Sequence, residues 1–147
     1  MSSPATQNVR EARIRIVQEH LDAENNHDLD AIMRTFSAQP AFALNGMDLA
    51  GQETIRGLYD GFGFGQRGSF SEIQAEIKHW YLGDDSITLE LFLRAKHTGE
   101  WQGIPATGRA VAVPLCAIFT FDADNQVASE RVYFDAATVL QQIGVPQ

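Results

Sequence analysis

Three side chains of the types that move protons in enzymes lie on predicted apolar faces of this chain: His20, His79 and Glu130. His20 is on the apolar side of the first predicted helix, and His79 alternates with apolar residues along a predicted strand. Glu130 has the same strand parity as Val132, which is predicted to point inward. A titratable group in an apolar pocket can act as a general acid or base when its pKa lies near the working pH. These three residues are therefore the candidate catalytic set.

A purely structural interpretation competes with this one. His20 could hydrogen-bond a backbone carbonyl at a helix interface, because histidine is intermediate in its tendency to be buried. Glu130 could point outward and pair with a surface Arg or Lys, since glutamate is almost never fully buried without a partner. At this stage both interpretations stay open.

The turns at Gly83 and at residues 122–125 set the expected registers of the last four strands. They predict one row of side chains across the sheet: His79, Leu89, Ala117 and Glu130. Neighbouring strands are about 4.8 Å apart, so the ends of this row would be about 14 Å apart on a flat sheet and closer on a curved one. Pro114 makes the orientations beyond it less secure, because proline in a strand predicts an edge or a bulge that flips side-chain parity.

Other polar side chains are candidates for contacts around the same pocket. Tyr59 and Tyr81 are predicted to supply hydroxyl groups, with core packing as the alternative for each. His97 and Arg109 flank a loop rich in Gly and Pro, and we expect them to order that loop at the pocket rim. Asp135 is better explained as a helix N-cap than as a catalytic acid. No metal site is predicted, because no two of the four histidines are spaced as ligands on one element.

Hydrophobic periodicity predicts the elements that must position these side chains. Helical spacing indicates three helices in the N-terminal half, at residues 9–25, 29–36 and 52–61, the second capped by Asp28. Alternating patterns indicate short strands at 40–44 and 47–50, then longer strands at 71–82, from 87 onward, and on either side of the 122–125 turn. Residues 136–143 form a final short helix.

A sheet with one apolar face needs a cover, and the helices are the candidates for it. The sequence therefore predicts an α+β fold: a curved antiparallel sheet of about six strands, covered by three N-terminal helices, with a short C-terminal helix. Residues 1–8 are expected to be a disordered lead-in, and residues 9–147 a single domain.

Composition excludes several classes of partner. The chain has 147 residues, of which 44% are apolar and 20% charged, as in ordinary globular proteins. A net charge of −8 without a basic stripe argues against binding to nucleic acid or to anionic membranes. The start of the chain lacks the apolar run of a signal peptide and no stretch could span a bilayer, so we expect a cytoplasmic protein.

Three segments resemble motifs of the SnoaL-like polyketide cyclase family, within the ketosteroid isomerase-like (nuclear transport factor-like) superfamily. Residues 25–30, Asn-Asn-His-Asp-Leu-Asp, resemble the family's helix-breaking Asn-x-x-Asp-Leu-Asp link. Residues 97–109 resemble its His-Thr-Gly…Gly-x-Pro-x-Thr-Gly-Arg loop, the most specific of the three. Residues 130–135 and the Leu…Gln-x-Gly ending resemble its last strand and helix. Together these segments span nearly the whole chain.

The resemblance implies a cone-shaped sheet around an apolar pocket, chemistry without a cofactor, a small apolar ligand, and often a homodimer through the outer sheet face. It also places apolar residues where relatives have catalytic groups: Val132 at the cyclase aspartate, Ala117 at the cyclase histidine, and Leu44 at the isomerase base. His20 falls where ketosteroid isomerase-like enzymes have an oxyanion-binding tyrosine. We therefore expect Leu44, Ala117, Val132 and Phe134 to contact substrate together with Tyr59, Tyr81 and His97.

Two functions follow from these observations. The first is a cofactor-independent enzyme of isomerase, cyclase or hydrolase type, acting on an apolar cyclic compound of polyketide, steroid or terpenoid kind. In this reading His20 donates a hydrogen bond, and His79 or Glu130 is the acid or base. The alternative is a non-catalytic ligand-binding or dimerising module that lacks the family's acid and base.

Overall fold

The computed structural model describes residues 3–145, which form four helices, one π-helical turn and a six-stranded sheet. The helices are α1 (Pro4–Asn25), α2 (Leu29–Arg34), α3 (Gln52–Tyr59) and α4 (Ala136–Gln142), and the π-helical turn, Asp60–Phe64, continues α3. The strands are β1 (Phe36–Leu44), β2 (Met47–Ala50), β3 (Phe70–Leu82), β4 (Ser86–His97), β5 (Ala110–Phe121) and β6 (Val127–Phe134). Among residues 3–145, no helix is long and apolar enough to cross a membrane.

Helix α1 begins earlier than predicted. Ser3 is its N-cap and accepts a hydrogen bond from the Thr6 amide, and Pro4 occupies the first turn, where its missing N–H costs nothing. The predicted disordered lead-in is therefore wrong for residues 4–8, which are helical; residues 1 and 2 lie outside the described part of the chain. The predicted caps of α2 and α4 are confirmed, since Asp28 and Asp135 each accept hydrogen bonds from amides of the helix that follows.

The predicted α+β fold is confirmed. The strand order is β2-β1-β6-β5-β4-β3, and all neighbouring pairs are antiparallel except β1 and β6, which are parallel. The apolar face packs against the N-terminal helices, with fully buried side chains such as Val17 and Leu21 from α1 meeting Leu89 and Phe119 from the sheet. This apolar face and its helical cover enclose the apolar space in which the candidate site lies.

A register shift between β3 and β4 changes the predicted side-chain orientations. The β3–β4 pairing shifts between Ile77 and His79, so Lys78 is an extra residue that reverses parity beyond it. Trp80 consequently packs against the core, while His79 is exposed. Pro114 has no such effect: the β4–β5 register runs through it without a break, and β6 pairs with β5 only from Leu115 onward.

The glycine-rich segment after α3 is closely packed. Gly63 has a φ of 135°, and a side chain there would clash with the Phe70 carbonyl at the start of β3. This close approach turns Phe64 into the core, where it is buried, and stacks Phe62 beside it. The segment therefore closes one end of the space between the helices and the sheet.

Candidate functional site

Four polar side chains from three elements, α1, α3 and β6, meet at one buried point under α1. The Nε2 atom of His20 lies 3.0 Å from the Tyr59 hydroxyl and 3.2 Å from one carboxylate oxygen each of Glu24 and Glu130. Tyr59 donates a hydrogen bond of 2.6 Å to the same Glu130 oxygen. All four residues are buried, and His20 is completely inaccessible to solvent. We call these residues the His20 cluster.

The hydrogen bonds fix where the protons of His20 are. The Thr35 hydroxyl gives its one hydrogen to the Ile32 carbonyl, so it can only accept from His20 Nδ1, which is 2.8 Å away. On the other side of the ring, Tyr59 has given its hydrogen to Glu130. Nε2 therefore faces acceptors and must also carry a hydrogen, which makes His20 an imidazolium.

The electrostatics agree with this assignment. Burial alone would lower the pKa of His20, but attraction to Glu130 and then to Glu24, with hydrogen bonds to both, raises it from 6.5 to about 10. Burial raises the pKa of Glu24 above its usual 4.5, against the opposing pull of His20. Burial and the two carboxylates also hold the pKa of Tyr59 well above 10, so it stays a neutral phenol. With both glutamates ionised, one imidazolium and two carboxylates give the cluster a formal charge of −1.

The cluster forms the polar end of an internal cavity of about 90 Å³ between the helices and the sheet. Glu24, Tyr59 and Glu130 line this cavity, whereas His20 lies behind them. Six further aromatic side chains line it: Phe42, Phe62, Phe64, Phe70, Trp101 and Phe134. The other lining residues are aliphatic. Three polar side chains of the cluster thus line one end of a mainly apolar space.

A two-residue hairpin in the 97–109 loop places Trp101 at the cavity. Trp101 and Ile104 exchange both backbone hydrogen bonds across Gln102 and Gly103, whose φ values of 50° and 79° are those of a type I′ turn. His97 anchors the loop, because its Nδ1 atom is 2.9 Å from the Thr107 hydroxyl and accepts from the Thr107 amide.

The other ring nitrogen of His97, Nε2, is a buried polar atom. Since Nδ1 accepts, the ring hydrogen belongs on Nε2, which is buried and has no hydrogen-bond partner among the described residues. The ring packs 5.6 Å from that of Phe70, a residue of the cavity wall. His97 does not itself line the cavity.

The structure brings only some of the predicted site residues together. Leu44, Tyr59, Glu130, Val132 and Phe134 line the cavity, and His20 supports it. Ala117 is buried in the sheet but does not line the cavity. His79 and Tyr81 are on the outer face, against prediction, because of the shift at Lys78; Tyr81 is 48% exposed and donates to Glu90. The predicted row also fails at its ends, because Ala117 pairs with Val132 rather than Glu130 and Leu89 with Trp80 rather than His79.

Glu24 is the site residue that the sequence interpretation missed. A signal for it was present: Glu24 follows His20 by four residues, a spacing that puts two helical side chains on the same face. The predicted apolar face of α1 did not include it, since Glu24 lies one residue before the predicted end of the helix in the Asn25–His27 break. The structure fixes this end firmly, since the Asn25 side chain bonds both the amide and the carbonyl of Ala75 in β3.

The cluster also bears on metal binding. The absence of a metal site was predicted from histidine spacing on single elements, but ligands can converge from several elements. One ligand atom each of His20, Glu24 and Glu130 lies within 4.8 Å of the others. In the arrangement described, these atoms are joined by hydrogen bonds through the His20 N–H, so a metal ion would have to displace that proton.

Comparison with known proteins agrees with this architecture. Many solved structures are similar in fold, and three of them serve as examples. AclR, a candidate hydroxylase from Streptomyces galilaeus, is 22% identical with a TM-score of 0.80, over 94% of this chain and 89% of that one. A candidate SnoaL-like polyketide cyclase from Jannaschia sp. CCS1 is 20% identical with a TM-score of 0.83, over 100% and 99%. A protein with a ketosteroid isomerase-like fold from Catenulispora acidiphila, solved in complex with trimethylamine, is 20% identical with a TM-score of 0.74, over 89% and 93%.

At these identities the structural likeness establishes the fold alone. No curated protein matches the sequence. The family model for "SnoaL-like polyketide cyclase" matches residues 14–143, which include every residue of the His20 cluster. On this evidence the chain belongs to the SnoaL-like polyketide cyclase family.

Proposed function

We propose that this protein is a cofactor-independent enzyme of cyclase, isomerase or hydrolase type that acts on an apolar cyclic compound held in the internal cavity. The observation that carries the proposal is the pair of buried carboxylates, Glu24 and Glu130, which open onto an otherwise apolar space and are joined through His20. Buried titratable groups with perturbed pKa values, collected in one cavity, are the usual mark of acid–base catalysis.

The contacts favour different roles for the two carboxylates. One oxygen of Glu130 accepts from both Tyr59 and His20, so Glu130 is committed to holding these groups in place. Glu24 has the weaker set of contacts, and its pKa is raised by burial toward the range in which a carboxyl exchanges protons. We therefore assign proton transfer to Glu24, with Glu130 as the second carboxylate in contact with substrate. His20 is a positioning residue, since it does not reach the cavity.

In the proposed step, ionised Glu24 removes a proton from a substrate C–H next to a carbonyl, or from a substrate hydroxyl. The C–H or O–H electron pair stays on the substrate, where it forms an enolate or an attacking alkoxide. Glu24 then returns the proton to another substrate atom, so atoms and charge balance without a cofactor. The imidazolium of His20 stabilises the ionised state of Glu24 between these steps.

Cavity size limits the substrate. About 90 Å³ is below the 300–1,000 Å³ typical of ligand pockets. A polycyclic compound would therefore enter only with one edge or ring, unless the side chains of the π-helical turn move aside.

Solvent deuterium exchange tests the proposal without a known product. The protein would be incubated in D₂O with a panel of cyclic ketones, lactones and epoxides, and deuterium incorporation or ring opening followed by NMR and mass spectrometry. We expect catalysed exchange or opening for some members, lost by at least about a hundredfold in Glu24→Gln, since general acid–base groups contribute about 10²–10⁴-fold. Glu19→Gln makes the same change at an exposed site of the same helix and should be unaffected. Equal rates in Glu24→Gln and wild type would refute the assigned role.

The alternative function is ligand binding without catalysis. It is favoured by one observation: the family's catalytic positions hold Leu44, Ala117 and Val132, all apolar. Ligand binding in the cavity without any exchange or turnover across the panel would support this alternative.

We also propose that the protein is a homodimer through the outer face of the sheet. Tyr81, Leu82 and Tyr133 are large side chains that are 48%, 44% and 40% exposed. Analytical ultracentrifugation tests the assembly: a monomer at high concentration would contradict it.

A further inference from the structure

The polar wall of the cavity consists almost entirely of hydrogen-bond acceptors. Tyr59 has given its only hydrogen to Glu130, so its oxygen offers a lone pair to a ligand. The carboxylates of Glu24 and Glu130 accept only, when ionised. The imidazolium that carries the hydrogens lies behind them and outside the lining. A ligand that matches this wall must bring its own donor or positive charge.

The charge of the polar wall also favours a cationic ligand. When both glutamates are ionised, two carboxylates against one imidazolium leave a formal charge of −1, and none of the described residues that line the cavity is Lys or Arg. Burying an uncompensated charge is costly, whereas a cation placed beside Glu24 would offset that cost.

The apolar wall suits a cation as well as a hydrocarbon. Aromatic rings follow one another around it, with centroid distances of 5.8 Å from Phe42 to Tyr59, 5.5 Å from Tyr59 to Phe64, 5.8 Å from Phe64 to Phe62, and 4.8 Å from Phe62 to Phe70. Aromatic rings attract alkylammonium groups through their quadrupoles, most strongly where water is excluded. An aromatic enclosure with carboxylates at one end is the combination that recognises such groups.

From these three observations we propose that the cavity binds a small organic cation, an alkylammonium group, as its ligand or as the part of its substrate that enters. A cavity of about 90 Å³ is several times smaller than the roughly 300–1,000 Å³ of ordinary ligand pockets, so only a small group fits. Small tertiary or quaternary ammonium groups are of this size. The inference rests on the proposed function in taking the same cavity as the site, and it names the class of substrate.

An isosteric pair of probes tests the proposal: tert-butylammonium and tert-butanol have the same shape and differ in charge. Both would be titrated into the intact protein at matched ionic strength, with binding followed by amide NMR shifts. We expect tert-butylammonium to bind at least about tenfold more tightly, with a Kd of about 1 mM, in keeping with so small a ligand. The shifts should fall on cavity residues such as Phe62 and Phe64. Equal or tighter binding of tert-butanol, binding of neither probe, or shifts confined to the acidic surface would each overturn the proposal.

Variants separate the cavity charge from the general acidity of the protein. Glu24→Gln should weaken tert-butylammonium binding at least about fivefold and leave tert-butanol unchanged, whereas Glu19→Gln should change neither. If Glu24→Gln does not fold, the comparison of the two probes on the wild-type protein still decides. If the protein prefers tert-butylammonium but catalyses no proton exchange, the proposed catalytic function is refuted and the proposed cation site is supported. If it catalyses exchange on neutral ketones and prefers tert-butanol, the cation site is refuted and the catalytic function is supported.

Discussion

The ionisation of His20 should make the protein less stable as the pH rises. The pKa of His20 is about 10 in the folded chain and about 6.5 when unfolded. The folded state therefore binds more protons than the unfolded state between these values. The contribution to stability is complete below pH 6.5 and is lost as the pH rises toward 10.

The magnitude follows from linkage. For pKa values of 6.5 and about 10, the His20 contribution is on the order of 4 kcal/mol at pH 7 and on the order of 1 kcal/mol at pH 9. The free energy of unfolding should therefore fall by roughly 2–3 kcal/mol over this interval. The raised pKa of Glu24 has the same sign, but its contribution begins to be lost at the lower pH where an unfolded carboxyl ionises, near 4.5.

Urea denaturation at pH 7, 8 and 9, followed by tryptophan fluorescence, measures this fall. The informative comparison is the double variant Glu24→Gln/Glu130→Gln, which keeps the shape of the cluster and removes both carboxylates. Burial then leaves His20 neutral throughout, so the stability should be nearly constant between pH 7 and pH 9. Glu19→Gln/Glu76→Gln removes two exposed carboxylates instead and should behave as wild type. The same fall in the wild type and in the double variant of the cluster would refute the reasoning.

Three further substitutions test the elements that hold the site, each by its change in unfolding free energy. Gly63→Ala should cost about 2 kcal/mol or more, because it combines a positive φ with a clash against the β3 backbone; a cost below about 0.5 kcal/mol would contradict the close packing described. Asn25→Ala should cost about 1–3 kcal/mol through its two lost hydrogen bonds to β3. The neighbouring exposed Asn26→Ala should stay within about 0.5 kcal/mol, and equal effects would argue against the anchor. Asp135→Ala should cost about 1 kcal/mol as a lost N-cap, and no change would mean that the cap is unimportant.

Most elements could be predicted from the sequence because each has a consistent local pattern. The inward row of β4, from Leu89 to His97, is buried as its alternation predicts. For Glu130 the sequence left two orientations open, an outward one and an inward one that shares the parity of Val132, and the structure buries both residues. These orientations depend only on the two-residue period of a strand, which the sequence displays directly.

Features that depend on pairing between distant strands were predicted less well. His79 was misplaced because the shift at Lys78 is a property of the β3–β4 ladder, with no marker in the local sequence. The pairing of Glu130 was wrong by two residues. The β5–β6 loop is one residue longer than the 122–125 turn, since Phe121 pairs with Val127, and the register shifts once more between Thr120 and Phe121. The parallel pairing of β1 with β6 joins two strands that are far apart in the sequence, and the alternating pattern of either strand does not predict which strand it pairs with.

The ionisation state of His20 tests the central claim most directly, because both proposals require two carboxylates held around an imidazolium. Nitrogen-15 NMR of the histidine side chains reports whether each ring nitrogen carries a hydrogen. The account predicts that both nitrogens of His20 are protonated at pH 8, where an ordinary histidine is neutral. A neutral His20 ring at pH 7 would contradict it.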